Sequence, residues 1–177
     1  MKNLLFVSLV ILFASCSKSE IDFSGGPAGV GGFLPKEDTT NKVQADITAG
    51  GNTTHLAAKG FGTSFSRYVM TLIDSSVVSV SASDSVGSLY INLYNILAPG
   101  TYNFGLNPGR GKEVKATYYK SQGPGIPIAY LNDSTITSGT INITTFTDRK
   151  IEGTFSVTCR NGTQSVVITN AVFKGNF

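Results

Sequence analysis

From Val43 onward the chain is cut into short stretches in which apolar and polar residues alternate, and no segment sustains the spacing of an amphipathic helix. Alternation of period two puts every second side chain on one face of a strand. Clusters of Gly, Pro, Asn, Asp and Ser separate the stretches, as turns require. Strands are expected near 43–48, 54–59, 67–73, 77–82, 89–94, 100–104, 114–120, 127–131, 135–145, 151–160 and 165–174. The pattern predicts an all-β domain, an antiparallel β-sandwich of about ten strands, with a closed calycin-like β-barrel as the alternative.

The last two stretches permit a test of register. A two-residue turn at Asn161-Gly162, a dipeptide that favours such turns, makes paired residue numbers sum to 323. Val157 then faces Val166, Phe155 faces Ile168 and Ile151 faces Val172, all six on one side. The preceding connection cannot be a simple two-residue turn at Asp148-Arg149, because Ile141 and Ile143 would then lie opposite the face of Phe155 and Val157. An odd-length loop around Arg149 with a bulge is expected instead, pairing Ile143 with Phe155 and Ile141 with Val157.

The N-terminus has a different character. Lys2 precedes an apolar run over 4–14 that only Ser8 interrupts, and small residues lead to Cys16. This is the layout of a secretory signal, 1–15. The run is too short for a spanning helix, which needs about 20 apolar residues. Leu12-Phe13-Ala14-Ser15-Cys16 resembles a bacterial lipobox, with Phe13 where Leu is usual. The resemblance implies cleavage before Cys16 and its lipidation with palmitate-type chains, and two or more chains hold a protein stably on a bilayer. The expected address is the cell envelope, as an outer-membrane lipoprotein facing the periplasm or the cell surface. Residues 16–42 form the lipidated cysteine and a tether rich in Gly and Pro, with a typical reach of roughly 25 to 30 Å. Residues 43–177 are expected to form one domain.

Basic and acidic residues nearly balance, 14 against 11, and leave no basic footprint for nucleic acid. Once Cys16 is lipidated, Cys159 has no partner for a disulfide and reads as a small core residue on the face of Val157 and Phe155. His55, the single histidine, sits in a strand with no acid adjacent in sequence and reads as a surface residue; a histidine-rich metal site is excluded by count. The carboxylates are scattered, and no cofactor or metal motif is present. The stretch from Gly105 to Lys112 is glycine-rich and basic, yet Glu113-Val114 leads into a strand, so it reads as a hairpin loop and not a phosphate cradle. Thr39, in Asp38-Thr39-Thr40, is a candidate O-glycosylation site, and Asp84-Ser85-Val86 and Asp133-Ser134-Thr135 have the same form. Tyr118, Tyr119 and Tyr130 are the candidate binding surface, able to stack on a sugar or a peptide.

The segments Gly139-Thr140-Ile141-Asn142-Ile143-Thr144, Lys150-Ile151-Glu152-Gly153-Thr154-Phe155-Ser156-Val157 and Ile168-Thr169-Asn170-Ala171-Val172-Phe173, with Pro99-Gly100-Thr101-Tyr102, resemble the DUF6252-type lipoproteins of Bacteroidota. That is a domain family of unknown function, and the likeness covers roughly 43–177. The chain carries Asn170-Ala171 where such proteins often carry Asn-Gly. The resemblance supplies no catalytic residue. The functional expectation is a non-enzymatic binding or interaction module, held to the membrane by its anchor and engaging a protein or a glycan. A barrel-type carrier of a small apolar ligand is the alternative, and it requires an apolar cavity at one mouth.

Overall fold

The computed structural model describes residues 41–71, 75–122, 124–132 and 138–177, which belong to the compact unit Lys36–Phe177. Cys16, Thr39, the signal and the tether up to residue 40 lie outside the described residues, as does Asp133-Ser134-Thr135.

Among the described residues twelve strands follow in chain order: β1 (Lys42–Ala49), β2 (Asn52–Lys59), β3 (Thr63–Met70), β4 (Ser75–Ser83), β5 (Gly87–Tyr94), β6 (Gly100–Asn103), β7 (Gly105–Leu106), β8 (Glu113–Lys120), β9 (Ile128–Asn132), β10 (Gly139–Phe146), β11 (Lys150–Asn161) and β12 (Gln164–Asn176). Each expected stretch overlaps a strand, with residues 72–73 of one and 135–137 of another lying outside the described residues, and the two-residue β7 is added. All ladders are antiparallel and belong to one sheet, ordered β2-β1-β12-β11-β9-β8-β5-β4-β3. Between β11 and β8, β9 pairs with both at one end, while β10 and β6 extend from β11 and β7 pairs with the start of β8. A sandwich needs two sheets. Here one continuous sheet curls into a nearly closed barrel with a single seam, so the all-β expectation holds in its barrel form.

The seam lies between β2 and β3, and side chains bridge it where backbone ladders do not. Asp84, in the turn from β4 to β5, accepts the Val86 N–H on Oδ1 at 2.8 Å and the Ala57 N–H of β2 on Oδ2 at 2.8 Å. A turn residue thereby satisfies a donor on the open edge of β2, which would otherwise need water. Phe65 of β3 packs over Gly175 of β12. Arg67 of β3 reaches Asp148 at 3.3 Å and stands 5.8 Å above the Phe146 ring.

Inward-facing residues fill the barrel, among them Leu56, Leu89, Ile91, Leu93, Phe104, Tyr118, Ile141, Ile151 and Phe173, all fully buried. Cys159 is packed among them, as expected.

The final hairpin keeps its expected face and changes its partners. The turn is Gly162-Thr163, with Gly162 at φ +58° and Asn161 paired with Gln164, so the sums become 325. A glycine at the first central position is what a type II′ turn requires. Val157 faces Ile168 and Cys159 faces Val166; a shift of two residues preserves the inward side. A bulge at Asn170, φ +49°, then inserts one residue in β12 against both β11 and β1. Beyond it Phe155 faces Ala171 and Ile151 faces Gly175, with Ala171 and Phe173 inside. Val172, expected to face Ile151 in the core, is therefore turned outward and 38% exposed.

Parity is restored in the preceding hairpin in a related way. Phe146 faces Ile151 and the Thr147 N–H donates to Lys150 O at 2.9 Å, so the turn is an even one centred on Asp148-Arg149, the expected odd-length loop does not form, and the expected bulge alone corrects the parity. The bulge lies between Ile143 and Thr145, so Ile141 faces Phe155 and Ile143 faces Gly153, two residues from the expected partners but on the expected side.

Candidate functional site, an outer-wall tyrosine groove

Strands β4, β5 and β8 form a wall whose inner face carries Val80, Ala82, Leu89, Ile91, Ala116 and Tyr118. Alternation therefore sends Ser83, Ser88, Tyr90 and Tyr119 outward. Ser83 and Ser88 are direct cross-strand partners, with hydroxyls 2.8 Å apart. Tyr119 faces Ser88 and Tyr90 faces Thr117, which makes the two tyrosines diagonal neighbours. Their rings meet edge to face, centroids 5.7 Å apart and planes at 88°. They remain 44% and 36% exposed, Tyr90 the more so.

The connection from β8 to β9 raises a second wall from Ser121, Gln122, Gly125 and Pro127, and the cleft between the walls has a volume of about 470 Å³. Its lining has no basic side chain and one acid, Asp84, whose oxygens already serve the turn and the seam. Two aromatic rings, several hydroxyls and a primary amide remain on offer.

The three tyrosines singled out from sequence do not share this surface. Tyr119 does. Tyr118 is 1% and Tyr130 4% exposed, and their rings lie 6.4 Å apart in the interior. Tyr118 donates to Val86 O at 3.3 Å and Tyr130 to Gln164 Oε1 at 3.1 Å, so each buried hydroxyl has a partner. Burial pushes the Tyr118 hydroxyl pKa above its ordinary value, with the Asp84 carboxylate adding to the shift. Tyr90 was missed. Leu89, Ile91 and Leu93 alternate around it and mark it as outward, but its meeting with Tyr119 depends on β5 lying beside β8.

His55 is not the isolated histidine its sequence neighbours suggest. Its Nδ1 lies 2.8 Å from Asp46 Oδ1, and Asn170 Nδ2 donates to Asp46 Oδ2 at 2.8 Å. These bonds, that from Asn170 first, lower the Asp46 pKa. The pair was findable: a two-residue turn at Gly50-Gly51 places Asp46 directly opposite His55. No hydroxyl or thiol among the described residues hydrogen-bonds to the His55 ring, so the cluster lacks the third member of a nucleophilic triad. It also pins the bulge, since the Asn170 amide that bonds Asp46 belongs to the bulge residue itself.

Cys159 offers no reactive thiolate, because burial pushes its thiol up to about 12. No group of three or more metal-ligating residues occurs among the described residues. The stretch before β8 is an exposed loop, closed by the Asn107 N–H to Lys112 O at 2.9 Å.

One acid outside the groove is strongly perturbed. Glu152 on β11 lies 2.8 Å from Lys150 and 3.2 Å from Lys174 and accepts the Thr145 hydroxyl at 3.1 Å; these bonds, led by that of Lys150, hold its carboxyl at about 2. The unfolded carboxyl titrates near 4.5, so between the two values the unfolded chain binds more protons. The cluster's contribution is full above about pH 4.5 and is lost as pH falls toward 2. Urea midpoints measured across this window are expected to fall less steeply for Glu152→Gln than for wild type. Equal slopes would refute the assignment.

The match to a family model, described as a domain of unknown function, runs over residues 61–175. It takes in the seam strand β3, all three strands of the groove and the final hairpin, and begins after β1 and β2. No curated protein and no solved structure matches the chain. With both tyrosines of the groove inside a match that spans most of its length, the chain belongs to the DUF6252 family.

Proposed function

We propose that this protein is a lipid-anchored, non-enzymatic binding module of the cell envelope, held at Cys16 and engaging its partner through the Tyr90–Tyr119 groove. The observation that carries the reading is that groove: two aromatic rings left partly exposed on the outer wall of a packed barrel, with a polar rim around them. Large side chains exposed beside each other in a concavity suit recognition better than stability. The lipobox-like stretch supports the membrane as the other partner, at the outer membrane and on its periplasmic or outer side.

The carrier alternative fares less well. Tyr118, Phe104, Phe173 and Leu89 fill the interior. Of two clefts that share Ala49 and Lys120, the one lined also by Ile47, Val86 and Tyr118 has about 200 Å³, and the one of about 370 Å³ is lined also by Gly50, Tyr130, Gln164 and Ser165, a largely polar set unsuited to an apolar ligand. Pockets for small ligands usually span about 300 to 1,000 Å³.

Two measurements test the proposal. In cells fed labelled palmitate, wild type should take up label and Cys16→Ala should not; equal labelling refutes the anchor. The full chain carrying Cys16→Ala, mixed with the insoluble envelope and extracellular material of its own cells, should co-sediment with it. Adding Tyr90→Ala and Tyr119→Ala should release most of the bound protein, and unchanged sedimentation refutes the groove.

A further inference from the structure

We infer that the Tyr90–Tyr119 groove takes an uncharged pyranose unit of a glycan, a reading that rests on the groove being the binding surface. Three features of the site point to that ligand class. The first is the backbone beneath it. β4 is paired with β3 and β5, β5 with β4 and β8, and β8 with β5, β9 and β7. A peptide that adds a strand needs an open edge of N–H and C=O groups, and none of the three floor strands has one along the groove.

The second is the arrangement of rings. In an edge-to-face pair one ring's edge covers the face of the other, so the site presents one stacking platform and not a row of parallel slots. Proline-rich segments dock in grooves lined by several aromatic rings. A single pyranose lays one C–H face on one ring and points its hydroxyls sideways. Those hydroxyls would meet Ser88, Ser83, Ser121 and the Gln122 amide on the rim. Of these, Ser83 and Ser88 bond to each other, so their shared hydrogen leaves one O–H free to donate outward.

The third is charge. Recognition of phosphate, sulfate or uronate calls for Arg or Lys, and the lining has neither. Asp84, the one charge, is bonded by the backbone N–H groups of Val86, Gly87 and Ala57. A neutral sugar matches such a lining without leaving a charge unpaired.

Affinity electrophoresis of the full Cys16→Ala chain tests the inference. The gels would contain dextran, mannan, xylan or β-glucan, with polygalacturonate as the acidic control and the surface polysaccharide of the producing cells run beside them. At least one neutral polysaccharide should retard the protein. Tyr90→Ala and Tyr119→Ala should each weaken that retardation about tenfold or more, and Tyr119→Phe should leave it nearly intact because stacking uses the ring. Both tyrosines are exposed, so thermal midpoints close to wild type will show that the variants fold. No retardation by any neutral polysaccharide overturns the inference, as does retardation by polygalacturonate alone or retardation indifferent to both alanine variants. A proline-rich peptide titrated by calorimetry separates the two levels: peptide binding that the tyrosine variants abolish, with no neutral polysaccharide bound, would keep the groove as the site and reject the glycan. Retardation confined to the cell's own polysaccharide supports the inference if that polymer carries no uronate, phosphate or sulfate and overturns it if it does.

Discussion

Phe155→Ala is expected to lower the free energy of unfolding by about 3 to 5 kcal/mol, the cost typical of deleting a buried aromatic ring. Phe155 is the middle of an aromatic row across the barrel, 6.0 Å from Phe104 and 6.2 Å from Phe173. Removing it strips ring contacts from two fully buried neighbours and leaves a cavity between strands whose registers two bulges have fixed. A domain of this size holds only about 5 to 15 kcal/mol in total, so the variant should be close to unfolding at ambient temperature. Phe155→Leu keeps most of the volume and should cost about 1 to 1.5 kcal/mol. Equilibrium urea unfolding by far-UV circular dichroism gives both numbers. A loss below about 1 kcal/mol for the alanine variant would mean that the row does not organise the core.

Phe155 also shows what could be read from the amino acids. Its inward direction follows from alternation with Val157 and Ile151, and that holds. Its partners do not follow, because Phe104 reaches it only through the pairing of β6 with β10, and Ala171 only through the bulge at Asn170. A bulge changes the count on one strand without changing composition, so alternation alone carries Val172 into the core and leaves Ala171 outside. The choice of barrel over sandwich was equally out of reach. It rests on long-range pairing and on single residues such as Asp84, whose carboxylate reads as an ordinary turn acid until β2 is seen beside it.

The candidate site divides in the same way. Tyr119 is legible as a residue of a strand in which Tyr118 must face the other side. The local alternation also says which of the two is outside, since Val114 and Ala116 share the face of Tyr118 whereas Glu113, Lys115 and Thr117 share that of Tyr119. Burial of Ala116 and Val114 on the side of Tyr118 agrees with it. Tyr90 joins the groove across the β5–β8 ladder, which encloses the excursion through β6 and β7. Such a pairing is a property of the closed sheet, and short-range patterns carry no record of it.

Gly175→Ala tests that closure at the seam and is expected to cost about 2 to 4 kcal/mol, an overpacking penalty joined to partial loss of a buried ring. The backbone at Gly175 is not in the left-handed region, so the conformation itself admits alanine. Space does not. A Cβ there would collide with the Phe65 ring, which would have to leave its place between β3 and β12. Because no ladder joins β2 to β3, displacing Phe65 removes one of the few ties across the seam, and amide exchange should accelerate first in β3 and at Ala57. Phe65→Ala alone should cost about 3 kcal/mol through the cavity it leaves. In the double variant the new methyl occupies part of that cavity, so the combined loss should fall short of the sum by about 1 to 3 kcal/mol. Strict additivity would show that the ring and the glycine do not meet, and would remove Phe65 from the ties across the seam.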